Sequence, residues 1–367
     1  MYFNDFYRNK KVLITGHTGF KGSWLAIWLK ELGANVVGYA LDPYTEKDNY
    51  VLAGLQNEMV DIRGDIKDLA KLESVFQQYK PEIVFHLAAQ PLVRLSYESP
   101  RETFEDNVMG TVNVLECVRK SKSVKIVVNI TSDKCYDNKE WIWGYKETDA
   151  MGGYDPYSAS KGCSELVVNA YINSFFNPEN YDSHQKAVVS VRAGNVIGGG
   201  DWSKDRIIPD CIRSIEKKTA IQVRSPYSVR PWQHVLEPLS GYLWLGAQLT
   251  NDPKKYIGNW NFGPTNDAII SVKEVVTKIL ENFPAGEWED VSSPNQPHEA
   301  RLLNLDCSKA HFILNWKPSM SVEKCIKLTC DWYKEYTNEN VYQLCKKQIN
   351  SYTSCAVERN IAWTFSK

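Results

Sequence analysis

Tyr157 and Lys161 lie four residues apart, the spacing that places two side chains on one face of a helix. An ammonium beside a phenol favours the phenolate, so the pair is a usable base toward an alcohol. As a string the pattern is weak. Tyr7 with Lys11 and Tyr342 with Lys346 match it too, and a chain with 20 tyrosines is expected to hold about that many by chance. Context separates the three. Only Tyr157 follows, at a suitable distance, a buried-looking apolar run (124–130) that ends in Thr131-Ser132-Asp133-Lys134. Hydroxyl, carboxyl and amine in succession make an acid–base set, and the carboxyl edge of an open α/β sheet is where such folds bind ligands. A third feature lies upstream: Gly16-x-x-Gly19-x-x-Gly22 directly follows the apolar stretch Lys11–Thr15. Glycines at that point permit a tight turn and close approach of a pyrophosphate, which then sits on the N-terminus of the next helix.

These side chains need a scaffold, and the pattern around them supplies one. Lys11–Thr15, Asn35–Ala40, 57–62, 82–88, 124–130 and Ala187–Arg192 read as strands, mostly continuous apolar runs of the kind buried on both faces. Helical spacing runs from the glycine turn to about Leu32, with Gly33 as a left-handed stop, and again over 66–79, over 100–120 and from Pro156 onward. This alternation predicts an α/β fold, a Rossmann-type doubly wound parallel sheet. After Arg192 the texture changes. Gly194, Gly198, Gly199, Gly200, Trp202, Pro209, Pro226 and Pro231 crowd the chain, and the elements become shorter. A smaller C-terminal α/β domain is expected there, interleaved with late sheet elements near 235–248 and 259–262. The expected division is 1–192 for the dinucleotide domain, with later contributions from about 235–264, and 193–234 with 265–367 for the substrate domain. A helix is expected from Ser321, and beyond Asn340 the pattern yields no assignment.

The totals narrow the function classes. The 367 residues carry 43 Lys and Arg against 44 Asp and Glu, which argues against broad docking on nucleic acid or an anionic membrane. No run reaches the 18 apolar residues of a membrane span, and residues 1–10 lack the apolar stretch of a signal peptide. Nine cysteines are scattered without a Cys-x-x-Cys pair, and Cys325 with Cys330 has no histidine placed to complete a zinc pattern. The expectation is a cytoplasmic protein with reduced thiols and no metal.

Read with Thr15, the glycine turn resembles that of the extended short-chain dehydrogenases, the NAD-dependent epimerase/dehydratase family. Within it, Ser132-Asp133-Lys134 stands where sugar-nucleotide 4,6-dehydratases usually carry Thr-Asp-Glu. Arg192-Ala-Gly-Asn195-Val-Ile-Gly198-Gly199-Gly200-Asp201-Trp202, Arg206-Ile-Ile-Pro209 and Leu314-x-Trp316-x-Pro318 bring the resemblance to the CDP-glucose 4,6-dehydratases, from Lys11 to about Pro318. The resemblance implies a tightly held NAD contacted by Gly16, Gly19, Phe20, Gly22, Asp65, Ile66, Ala88, Ala89, Asn107, Tyr157 and Lys161. Asp42 is the expected ribose ligand, although Ala40 occupies the usual position of the acid. No basic residue follows at once, which prefers NAD over NADP.

The resemblance also implies a homo-oligomer, dimer or tetramer, and a nucleotide-sugar substrate, CDP-glucose, held by Asn195, Arg206, Arg224, Arg230, Asn266 and His298. Nothing in these residues distinguishes cytosine from thymine or uracil. The implied reaction oxidises C4 with Tyr157 as base and removes the C5 proton with Lys134. Asp133 protonates the departing C6 hydroxyl, hydride returns to C6, and the product is a precursor of cell-surface deoxysugars such as those of O-antigen lipopolysaccharide. A lysine serves as base only if its pKa falls well below about 10.4, and Lys161 is the candidate neighbouring cation. A dTDP-glucose 4,6-dehydratase, a nucleotide-sugar 4-epimerase and, from another class, a non-catalytic NAD-binding regulator remain as alternatives.

Overall fold

Seven short strands, all but the last carrying Val or Ile, form the centre of the protein: β1 (Lys11–Thr15), β2 (Asn35–Ala40), β3 (Val60–Arg63), β4 (Ile83–His86), β5 (Ile126–Ile130), β6 (Ala187–Arg192) and β7 (Gly258–Asn261). The computed structural model describes residues 2–283, 286–293 and 300–365. All seven strands pair in parallel, in the order β7-β6-β5-β4-β1-β2-β3. Chain direction of travel across the sheet reverses between β1 and β4, so the loops after these strands part and leave a crevice at their carboxyl ends. Successive side chains point to opposite faces. Leu13, Val84 and Val127 join Leu72, Val114 and Val168 on one side, while Val12, Phe85 and Val128 join Trp24, Trp28 and Leu239 on the other.

The first helix, Phe20–Glu31, buries eight consecutive residues from Gly22 to Leu29 and therefore has no polar stripe there. Part of its cover is the helix Val341–Glu358, from the region where the sequence pattern yielded no assignment. Asn340 caps that helix by accepting from the Gln343 backbone N–H at 3.0 Å, and Tyr352 packs edge-on against Trp28 at 5.7 Å between ring centroids. Its apolar side is narrow and partly built of Cys345, Tyr352 and Ala356, which explains why the periodicity was faint.

The expected 100–120 helix is interrupted. Pro100–Phe104 passes into a π turn, Glu105–Met109, before α-helix resumes at Gly110–Lys120. The extra residue aims Asn107 inward, and such bulges occur often beside functional sites. After Arg192 come three two-stranded ladders: Val196–Ile197 with Gln233–His234, Val229–Pro231 with Ile269–Ser271, and Ile221–Val223 with Trp288–Asp290. Their apolar residues join the same core as one face of the main sheet.

Candidate active site

A cavity of about 740 Å³ runs along the carboxyl edge of the sheet, a volume suited to small-molecule ligands. It begins at the glycine turn. Gly16 has φ +77°, and a Cβ there would lie 2.7 Å from Ala88 N, while a Cβ on Gly22 would lie 2.1 Å from Gly16 O. Both positions admit only glycine. Gly19 differs, because its Cβ would meet Gly16 O at 3.4 Å and nothing closer. The protein leaves space there, in the wall of the cavity. No side chain caps the helix that follows, so the backbone N–H groups of Phe20, Lys21 and Gly22 lack intrahelical acceptors. A pyrophosphate supplies what this uncapped, positively polarised end lacks.

Beyond the turn the cavity is lined by Asp65, Ile66, Ala88 and Ala89, with Asp42 at the rim. The Asp42 side chain is 87% exposed and its Oδ1 lies 3.6 Å from Arg63 Nε, so it can meet a ribose without moving a buried group. Asn107 does not line the cavity. Its Oδ1 accepts from Gln90 N at 2.8 Å, and its Nδ2 donates to Ser160 Oγ at 2.8 Å and to Gln90 O at 3.1 Å. The side chain expected to touch the cofactor is spent bracing the β4 loop against the helix of Tyr157.

Ser132, Asp133 and Lys134 turn in a 3-10 element at the end of β5, and Tyr157 and Lys161 occupy successive turns of the helix Pro156–Phe175. All five line the cavity. Ser132 Oγ accepts from Lys134 N at 3.3 Å and donates to Asp133 Oδ1 at 2.9 Å, which holds the carboxyl group in place. Among the described residues Asp133 Oδ2 is buried without a hydrogen-bond partner, and a Cβ on Gly194 would fall 2.0 Å from it. Glycine at 194 is therefore a requirement of the Asp133 side chain.

The electrostatics correct one expectation. Burial pushes Tyr157 up to about 12; the Ser132 hydrogen bond and the charge of Arg206 lower it, and Asp133 raises it. Lys161 is itself pushed down to about 8 by burial, against the pull of Glu165. In the protein alone the phenol is thus harder to ionise than in water, because desolvation outweighs the nearby cations.

Beneath the site lies a pair that the sequence reading did not single out. Glu165 and Arg192 are both fully buried, with Arg192 Nη2 at 2.8 Å from Glu165 Oε2. Glu165 Oε1 accepts from the Ser190 and Thr131 hydroxyls, and Arg192 Nη1 donates to Tyr136 Oη at 2.6 Å. Thr131 adjoins Ser132, and Glu165 is one turn beyond Lys161, so the pair ties strand end and helix together. The signal was present as a third residue at i+4 after Tyr157 and Lys161. Removing one partner leaves a buried charge, and Glu165→Gln should cost about 3–5 kcal/mol in urea unfolding. A loss below about 1 kcal/mol, the range of exposed pairs, would show the pair to be incidental.

Toward the outer end, Asn195, Arg206, Arg224 and Arg230 line the cavity. Asn195 follows Gly194 with φ +31°, a left-handed backbone that asparagine tolerates better than most residues. Arg206 Nη1 is 2.7 Å from Asp201 Oδ2. Arg224 pairs with Asp205, and Arg230 donates to the carbonyls of Ala300 and Arg301. Asn266 is not brought here; it is exposed in the short 3-10 turn Asn266–Ala268 and does not line the cavity. His298 lies outside the described residues. Lys21, in the first turn after the glycines, lines the cavity too. The sequence reading did not name it, although a lysine inside a phosphate turn was the available signal.

Comparison with known proteins agrees with this geometry. The family described as GDP-mannose 4,6 dehydratase matches residues 13–329. The chain is 51% identical to the CDP-glucose 4,6-dehydratase of Salmonella typhimurium, over 95% of its own length and 98% of that protein's. It is 24% identical to the dTDP-glucose 4,6-dehydratase of Shigella flexneri, over 90% and 95% of the two chains. Among solved structures, UDP-glucose 4-epimerase of Thermotoga maritima superposes with a TM-score of 0.74 at 22% identity, covering 89% of this chain and 99% of that one. The dTDP-glucose 4,6-dehydratase of Bacillus anthracis, in complex with NAD, gives 0.72 at 21%, covering 89% and 97%. With a Rossmann-type sheet, a glycine turn and an acid–base set gathered in one cavity, and a family match spanning residues 13–329, the chain belongs to the GDP-mannose 4,6 dehydratase family.

Proposed function

We propose that the protein converts CDP-glucose to CDP-4-dehydro-6-deoxyglucose, with NAD held throughout the cycle. The observation that carries the reading is the gathering of Ser132, Asp133 and Lys134 with Tyr157 and Lys161 around one cavity, Asp133 turning a buried, unpartnered oxygen toward Gly194. An epimerase uses the tyrosine and lysine but has no elimination to catalyse, hence no use for an added acid and base. The likeness to the Salmonella dehydratase favours the cytidine nucleotide, and the NAD complex of the Bacillus structure favours NAD.

Gly16, Gly19, Phe20 and Gly22 would hold the cofactor's pyrophosphate, Asp42 the adenosine ribose, and Asp65 and Ile66 the adenine, above a floor of Ala88 and Ala89. When bound, NAD supplies the acceptor for the C4 hydride and the donor for its return to C6. The protein's own groups move protons. Tyr157 takes the proton of the C4 hydroxyl, with Lys161 and Ser132 stabilising the phenolate. The C4 ketone acidifies C5, Lys134 removes that proton, and Asp133 protonates the C6 hydroxyl as it departs. Lys134 then returns a proton to C5. Residues 193–234 and 265–293 with the described part of the C-terminal segment form the nucleotide-sugar side, through Asn195, Arg206, Arg224 and Arg230. The packing of Val341–Glu358 on the first helix favours counting that element with the cofactor side. The product would enter deoxysugar synthesis for cell-surface polysaccharide.

Purified protein incubated with CDP-glucose should form a 4-keto sugar, while dTDP-glucose, GDP-mannose and UDP-glucose react much more slowly. NAD should be recovered from the acid extract of the purified protein, and no net NADH should build up during turnover. Stoichiometric NADH would exclude an internally balanced cycle, and NADP in the extract would overturn the cofactor assignment.

A further inference from the structure

Two arginines from distant parts of the chain share one carboxylate in the wall of the cavity. Arg94 belongs to the short helix Val93–Glu98 that follows β4, and Arg224 follows the strand Ile221–Val223 of an outer ladder. Both line the cavity, as does Asp205. Arg94 Nε lies 3.7 Å from Asp205 Oδ1, and Arg224 Nη1 donates to that same oxygen. Arg224 Nη2 also donates to the Asp205 carbonyl at 3.4 Å. Two guanidinium groups drawn onto one oxygen repel each other, and a carboxylate brings a single charge against both. The other acid of this loop behaves differently. Asp201 pairs with Arg206, but its side chain is only 6% exposed and it also accepts from Ser203 N at 3.1 Å, so that pair is fixed in the fold. The Asp205 side chain is 37% exposed and can turn into water. Ion pairs of such exposure are weak, so an exchange of partner costs little.

We infer, resting on the function given above, that Asp205 holds the place of the substrate's diphosphate, and that Arg94 joins Arg224 as a ligand of that diphosphate. Before substrate arrives, the carboxylate keeps the two guanidinium groups together against their repulsion. A nucleoside diphosphate brings more negative charge, spread over two bridged phosphoryl groups, to planar forks suited to phosphate oxygens. It takes both arginines, and Asp205 turns away from the incoming anion. Binding is then an exchange of one anion for another on cations already in position. A free sugar carries no charge with which to make the exchange, so the clamp selects for the diphosphate. Asp205 acts on binding through the two arginines and is a positioning residue.

Asp205→Asn removes the competing charge and keeps the side chain's size. The NAD-loaded variant should bind CDP about 2–10-fold more tightly in titration calorimetry, because the ligand no longer has to break exposed ion pairs. Asp205→Ala should show the same gain, which ties the effect to the lost charge and not to a new amide contact. Arg94→Gln should weaken CDP binding about tenfold, through loss of a charge-assisted hydrogen bond. In that background the gain from Asp205→Asn should shrink, since one of the two arginines for which Asp205 competes is absent. Three results would overturn the proposal: CDP binding unchanged or weakened in either Asp205 variant, wild-type affinity in Arg94→Gln, or an undiminished gain in the double variant. Any of these, in protein that still forms a 4-keto sugar from CDP-glucose, removes the clamp and leaves the function standing. Wild-type protein that forms no 4-keto product from any of the four nucleotide sugars would instead remove the functional reading on which the proposal rests.

Discussion

Tyr157→Phe should abolish the first chemical step, with turnover falling by about 10²–10⁴-fold or more, the usual contribution of a general base. The ring stays and only the hydroxyl goes, so the packing of the Pro156–Phe175 helix is preserved. Tyr7→Phe and Tyr342→Phe are the matched controls. The Tyr7 hydroxyl donates to Leu243 O at 2.7 Å inside the core, and that of Tyr342 to Glu31 Oε1 at 3.0 Å on the surface. Neither lines the cavity, so each should change stability and leave turnover intact. The pH profile adds a second readout. With Tyr157 raised to about 12, activity that needs its base form should climb with pH, until Lys161 loses its charge above about 8. The ascending limb should vanish in the phenylalanine variant. Near-normal turnover there would mean that another group takes the C4 hydroxyl proton.

Lys134→Met should split the reaction at its second step. Methionine keeps much of the side chain's length and removes the amine. Oxidation at C4 depends on Tyr157 and should survive, seen as absorbance of reduced nicotinamide after CDP-glucose is added. Exchange of the C5 hydrogen with deuterated solvent should be lost and release of the 6-deoxy product should drop by at least about 10²-fold. Asp133→Asn provides the complementary split, with C5 exchange retained and water loss slowed. If the methionine variant still exchanges C5 at the wild-type rate, Lys134 is not the base, and Tyr157 or Asp133 takes its place.

How far the sequence carried depended on whether a property was local. Lys11–Thr15, Asn35–Ala40 and Ala187–Arg192 were legible to the residue because each is a short, mainly apolar stretch. The third strand was placed too early, at 57–62, where Gly54 with φ +64° starts a 3-10 turn, Leu55–Asn57, before pairing begins at Val60. Chemistry was legible where type and spacing coincide, as at Ser132, Asp133, Lys134, Tyr157 and Lys161. It was not legible where partners meet only in space. Glu165 and Arg192 are 27 positions apart; the i+4 spacing after Lys161 marks Glu165 as sharing the helix face, but does not name Arg192 as its partner. Asn107 was read as a cofactor contact because its position suits one. A π turn, which no periodicity signals, instead directs its amide to Gln90 and Ser160.

The covering of the Phe20–Glu31 helix by Val341–Glu358 has a consequence for the order of events on the ribosome. Tyr342 reaches Glu31 across 311 positions of chain, and Trp28 meets Tyr352 and Trp363 in an aromatic cluster. A nascent chain that has made all seven strands still has the apolar outer side of its first helix exposed to water. The turn that helix presents to a dinucleotide is therefore secured only after a segment some 311 positions downstream has been made. Until Val341–Glu358 emerges, the half-built protein carries a sticky surface of the kind that recruits chaperones. Loss of that helix would act at a distance, loosening the grip on the dinucleotide without altering any residue that lines its site.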